Sequence, residues 1–150
     1  MKRQFIVLVF SLLFSSCATK LNSVLNKQFI HVGSGYSKAV TVIANNVKTI
    51  YIAGLTGDGD DLETQTKSVF VNIKMELEAA GATLKDVVKM NTYIVNYQPG
   101  NIEIFRRVRK EILGETNMPA STVVGVQALA VANKIIEIEA VAVIQINKKN

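Results

Sequence analysis

Two carboxylates, Glu137 and Glu139, interrupt the apolar run Ile135 to Ile146. In an extended strand their spacing puts both on one face, with Ile135, Val141, Val143 and Gln145, while Ile136, Ile138, Ala140, Ala142, Ile144 and Ile146 share the other. A carboxylate among apolar neighbours must be paired or must hold its proton more tightly than usual. Glu137 is therefore the candidate for a pocket role, and Glu139 for a structural contact between subunits. Metal chemistry has little to build on. His31 is the only histidine and reads as a partly exposed strand residue, so a multi-histidine metal site is excluded and a Ser-His catalytic pair has no support. The acidic loop Asp58-Gly-Asp-Asp61 lacks the remaining ligands and the bidentate glutamate of a calcium loop and reads as helix capping instead. No cofactor is implied.

The elements that must position these residues follow from hydrophobic period. Phe29 to Val32 is a short strand closed by Gly33-Ser34-Gly35. Ala39–Ile43 and Lys48–Ala53 flank Asn45-Asn46, a hairpin signal because asparagine tolerates positive φ. From Leu62 to Ala80 the apolar residues Leu62, Val69, Phe70, Ile73, Leu77 and Ala80 keep to one helical face, with Asp60 and Glu63 as a capping box and Gly81 as the stop. Val87–Val95 is rich in β-branched residues and predicts a strand. Ile102, Phe105, Val108 and Ile112 predict a second helix that ends before Gly114. Thr122–Val126 and Ile135–Ile146 complete the set. The order β-β-β-α-β-α-β-β predicts an α+β domain, a mixed sheet with both helices on one face. The last strand is half apolar on its second face as well, which predicts burial of that face against another subunit.

With 150 residues, 49% of them hydrophobic and 19% charged, the chain has material for one core and one domain. The densest basic run, Arg106-Arg107-Val108-Arg109-Lys110, falls on the second helix without interleaved aromatics, so it reads as a solvated helix face and not as a nucleic-acid surface. Residues 1–17 have the layout of a bacterial secretory signal: Lys2-Arg3, an apolar run from Phe5 to Phe14, then Ser15-Ser16 before Cys17. The run is about half the roughly 20 residues that span a bilayer. Its end resembles a lipobox, with Phe14 where leucine is usual, so Cys17 is the expected lipidation site and an ordinary signal cleavage near Ser16 or Ala18 the alternative. Removal of the segment lowers the formal charge of +5 by two. Residues 18–27 read as a tether and 28–147 as the domain, exported and attached to the membrane through lipid only. A single cysteine allows no intramolecular disulfide.

Several motifs resemble the RidA (YjgF) family of imine and enamine deaminases, whose fold is chorismate-mutase-like. Gly35-Tyr36-Ser37-Lys38-Ala39-Val40 is similar to the family's Gly-Pro-Tyr-Ser-Gln-Ala-Val. Tyr51-Ile-Ala-Gly-Leu55 is similar to its strand ending in Ser-Gly-Gln, and Ala79 to Lys89 to its helix-to-strand junction. Met118-Pro-Ala-Ser-Thr122 and Glu137-Ile-Glu-Ala-Val-Ala142 resemble its two C-terminal signatures. The resemblance covers about residues 27 to 145. It implies a homotrimer with a small-molecule cleft at each subunit interface. It also implies a site made of Tyr36, Gly54 and Ser121, which bind substrate, and Glu137, which orients the attacking water. Ser121 stands where deaminating members carry the arginine that clamps a substrate carboxylate, and a hydroxyl cannot reproduce its two parallel charge-assisted bonds. Lys38 is an available cation at a position where the family has glutamine. Two functions follow from these residues: hydrolysis of small imines or enamines without a cofactor, or binding of a small metabolite in the same cleft without chemistry. Nuclease activity, attributed to some relatives, finds no metal site or basic groove in this sequence.

Overall fold

The computed structural model describes residues 25–146. Its elements are β1 (Asn26–Val32), β2 (Ser37–Ala44), β3 (Val47–Thr56), α1 (Leu62–Ala79), β4 (Val87–Val95), α2 (Asn101–Leu113), β5 (Ala120–Val126) and β6 (Ile136–Gln145), with a single 3-10 turn at Leu84–Asp86. This is the expected order. The signal segment, Cys17 and the tether as far as residue 24 lie outside the described residues, and β1 opens at Asn26.

The six strands form one mixed sheet in the order β1-β2-β3-β6-β4-β5. Asn45 and Asn46 take φ of 49° and 65°, the left-handed pair that a tight β2–β3 hairpin requires. β6 inserts between β3 and β4, antiparallel to both, and β5 lies parallel to β4 at the sheet edge. That one parallel pair reflects the crossover through α2, since a short hairpin can join only antiparallel strands.

Both helices cover one face of the sheet. Ile50 and Ile52 of β3, Met90 and Ile94 of β4, and Ile136, Ile138, Ala140 and Ala142 of β6 are buried in one cluster with Val69, Phe70, Ile73 and Leu77 of α1 and Phe105 of α2. Each large apolar side chain buried there stabilises the fold by about 1.5–3 kcal/mol. The periods read from sequence therefore assign the core faces of α1 and β6 correctly.

The capping box of α1 is displaced by one residue. Asp61, not Asp60, is the N-cap: its Oδ1 accepts from Thr64 N at 2.7 Å, while Thr64 Oγ1 accepts from Asp61 N at 3.2 Å. The buried Leu62 opens the helix, and Thr64 then stands three residues beyond Asp61, where its hydroxyl reaches back. Glu63 is released for another task. Arg107 of α2 donates two bonds to it, at 3.0 and 2.8 Å, and with Lys67 holds its carboxyl down to about 2. At the other end of α1, Gly81 takes φ +79°, the left-handed turn that stops the helix.

The basic run behaves as a helix surface. Arg106 pairs with Glu103, Arg107 with Glu63 and Lys110 with Glu115, while Arg109 lies over the Phe105 ring, 5.3 Å from its centroid. The sheet face away from the helices is left open, and Tyr51 of β3, Val143 of β6 and Val124 of β5 are exposed, Tyr51 by 51%.

Candidate active site

Glu137 stands near the start of β6, opposite Thr56 of β3 and Tyr93 of β4. The β3–β6 register shifts between Ile52 and Leu55, so β3 bulges at Ala53 and Gly54 and its backbone moves beneath the Glu137 side chain. A Cβ at position 54 would overlap Glu137 Oε1 and lie 2.8 Å from its Cδ. Glycine at 54 thus leaves room for the carboxylate in this position, and any larger residue would have to push it aside. Burial raises the Glu137 carboxyl above its ordinary value of 4.5, and the negative charge of Glu139 raises it further. Among the described residues no side-chain hydrogen bond or ion pair reaches Glu137.

Glu139 differs. Its Oε1 accepts from Asn91 Nδ2 at 2.7 Å and from Tyr93 Oη at 2.9 Å. The bond to Glu139 pushes the Tyr93 hydroxyl up, and burial adds to the effect. This satisfied carboxylate faces a shallow depression of about 230 Å³ on the open sheet face, lined also by Tyr51, Lys89 and Val141.

Glu137 instead lines a cleft of about 490 Å³ bordered by the start of β2, the bulged end of β3, α1 and the segment before β6, together with Tyr36, Lys38, Gly54, Glu76 and Lys134. Asn72 of α1 closes one wall by donating to Thr56 O at 2.9 Å. Glu76, 2% exposed, is held at 2.6 Å from Oε2 by Nδ1 of His31, and Lys38 Nζ stands 3.9 Å from its Oε1. His31 reaches it from a left-handed backbone, φ 45°, at a point where the β1–β2 pairing passes from Ile30 to Val32 without it. Lys134 donates to Gly57 O at 3.0 Å and pairs with Asp58.

Three of the expected site residues, Tyr36, Gly54 and Glu137, therefore meet in one cleft, with Lys38 beside them. Ser121 does not join them within the chain. It lies exposed on edge strand β5 opposite Met90, and β4 separates it from β6. Glu76, His31, Asn72, Asp58 and Lys134 were not among the residues expected at the site. Glu76 left a trace in the sequence: it is three residues after Ile73 and seven after Val69, a charge on the buried stripe of α1. The partner it finds 45 residues away left none. Among the described residues no group of three or more His, Cys, Asp or Glu is placed to hold a metal ion, and no helix is long and apolar enough to cross a membrane.

The family model described as Endoribonuclease L-PSP matches residues 26–144. A 2-iminobutanoate/2-iminopropanoate deaminase of Dermatophagoides farinae is 32% identical over 118 residues, which covers 73% of this chain and 86% of the relative. Among solved structures, a YjgF/YER057c/UK114 family member from Mycobacterium tuberculosis superposes with a TM-score of 0.68 at 31% identity, over 79% of this chain and all of the other. The RidA protein of the Antarctic bacterium Psychrobacter sp. PAMC 21119 superposes with a TM-score of 0.64 at 32% identity, over 77% of this chain and 93% of its own.

Proposed function

The chain belongs to the Endoribonuclease L-PSP family, that of YjgF and RidA, and from that premise we propose that it hydrolyses small imines or enamines to a carbonyl compound and ammonia without a cofactor. The observation that carries the proposal is the unpaired Glu137 carboxylate, held over Gly54 inside the cleft with its proton affinity raised. A carboxyl moved toward neutral pH is better matched to accept and return protons. In the reaction Glu137 takes a proton from water as the water oxygen bonds to the imine carbon. The C=N π electrons pass to nitrogen, which takes that proton from the Glu137 carboxyl and leaves a neutral carbinolamine. Glu137 then accepts the carbinolamine's hydroxyl proton and returns it to nitrogen as the C–N bond breaks, so that the O–H electron pair becomes the carbonyl bond and nitrogen leaves as ammonia. Tyr36 and Gly54 shape the cleft around the reacting carbon. The deaminase named for the Dermatophagoides relative supports this reaction class.

The reading includes a homotrimer. The open sheet face with Tyr51, Val124 and Val143 is the surface for burial between copies, and Ser121 on edge strand β5 reaches a cleft only from a neighbouring copy. It also includes export and a lipid tether at Cys17. A second reading is favoured by Ser121, which offers no cation: the cleft binds a small metabolite and does no chemistry. Nuclease activity is not part of the proposal, because Arg106, Arg107 and Lys110 are each engaged by a glutamate.

The test is ammonia release from a panel of imines made in situ by amino-acid and amine oxidases, with the native protein and Glu137→Gln side by side. Acceleration by the native protein that falls about 100-fold or more in the variant supports hydrolysis, the scale expected of a positioned acid-base group. No acceleration by the native protein would leave the binding reading.

A further inference from the structure

The carboxyl and ammonium side chains that line the cleft make its charge unequal: Asp58, Glu76 and Glu137 against Lys38 and Lys134. Neither lysine stands clear of an acidic neighbour. Lys134, with 19% of its side chain exposed, is held by the Gly57 carbonyl and by Asp58. Lys38, about half exposed, stands 3.9 Å from Oε1 of Glu76, a carboxylate almost wholly removed from water whose Oε2 is held by His31. A ligand carboxylate drawn to Lys38 would therefore come within a few ångströms of a buried like charge. One drawn to Lys134 would have to displace Asp58 and leave the Gly57 carbonyl without its donor. Like charges brought together in this way oppose binding and suppress the wrong ligand. Glu137 faces the same space with no cation of its own, so an N–H or ammonium entering the cleft finds an acceptor ready.

Resting on the hydrolysis reading and deepening it, we propose that the cleft selects ligands without a carboxylate, neutral or cationic imines and the amines related to them, over 2-imino acids. Two imines of matched carbon skeleton test this with the full chain: propan-1-imine, generated from propylamine by a flavin amine oxidase, and 2-iminobutanoate, generated from 2-aminobutanoate by an amino-acid oxidase. The expected result is an acceleration of ammonia release about tenfold or more greater for propan-1-imine, the scale of one unmatched charge. Equal or greater acceleration of 2-iminobutanoate overturns the inference and leaves hydrolysis standing. If neither imine is accelerated, hydrolysis falls and binding decides. A rise in Tm with propylamine and none with butanoate supports the selectivity; the reverse, or no response to either, overturns it.

Glu76→Gln locates the selectivity. The amide removes the charge beside Lys38 and keeps a hydrogen-bond partner for His31, so the discrimination against the carboxylated member of whichever pair responds should shrink about tenfold. Unchanged discrimination in a variant with native Tm would overturn the assignment to this carboxylate.

Discussion

Glu137 and Glu139 are the same residue type, two positions apart on the same face of the same strand, yet they occupy two different regions. Around Glu139 the neighbouring strand supplies Asn91 and Tyr93, two donors at hydrogen-bond distance, and the carboxylate is a joint in the sheet. Around Glu137 the bulge of β3 supplies Gly54, a space and no donor, and the carboxylate faces the cleft with its proton held more tightly than usual. What separates a structural carboxylate from a chemical one here is the content of the adjacent strands, not the strand that carries it.

The comparison breaks most visibly in activity. Glu137→Gln should lower imine hydrolysis by about 100- to 10,000-fold, whereas Glu139→Gln should change it less than about fivefold. Comparable losses in the two variants would show that the pair acts as one unit. Gly54→Ala should reproduce the Glu137→Gln deficit, because the added methyl takes the place of the carboxylate, and should lower urea-unfolding stability by about 1–3 kcal/mol. A stable and active Gly54→Ala protein would mean that Glu137 does not need its position over the bulge. Tyr93→Phe, on the Glu139 side, should cost about 0.5–1.5 kcal/mol by the same measurement and leave activity intact.

The smallest effect should be a dependence of stability on pH. A carboxyl whose folded-state value lies above its unfolded one opposes folding only when ionised. Below the ordinary glutamate value of 4.5 the native protein and Glu137→Gln should therefore share one Tm. As pH rises through that value and the raised folded one, the native protein should fall behind the variant. A gap of the opposite sign would assign Glu137 a stabilising partner.

The frame around these residues was legible because its signals are local. The alternation of β6 and the helical stripe of α1 announced which side chains are buried, and Asn45-Asn46 announced the hairpin. The family motifs brought Tyr36, Gly54 and Glu137 to one place. Features that depend on distant contacts were not legible. The α1 cap fell on Asp61 and not Asp60 because both residues are capable caps and only the burial of Leu62 decides between them. The β3 bulge is a matter of pairing with β6, more than eighty residues on in the chain, and no local pattern encodes it. His31 read as a solitary strand histidine because the sequence does not show that its backbone turns left-handed toward Glu76.

The bulge at Gly54 also bears on how this site can change over generations. Positions 54 and 137 share one volume, so their substitutions are coupled. A side chain acquired at 54 while Glu137 is present must push the carboxylate out of its place, whereas one acquired after residue 137 has been shortened meets open space. Loss of the glutamate therefore relaxes the demand for glycine at 54, and a glutamate regained later takes up this position only where glycine has returned. The two residues are expected to come and go together among related chains.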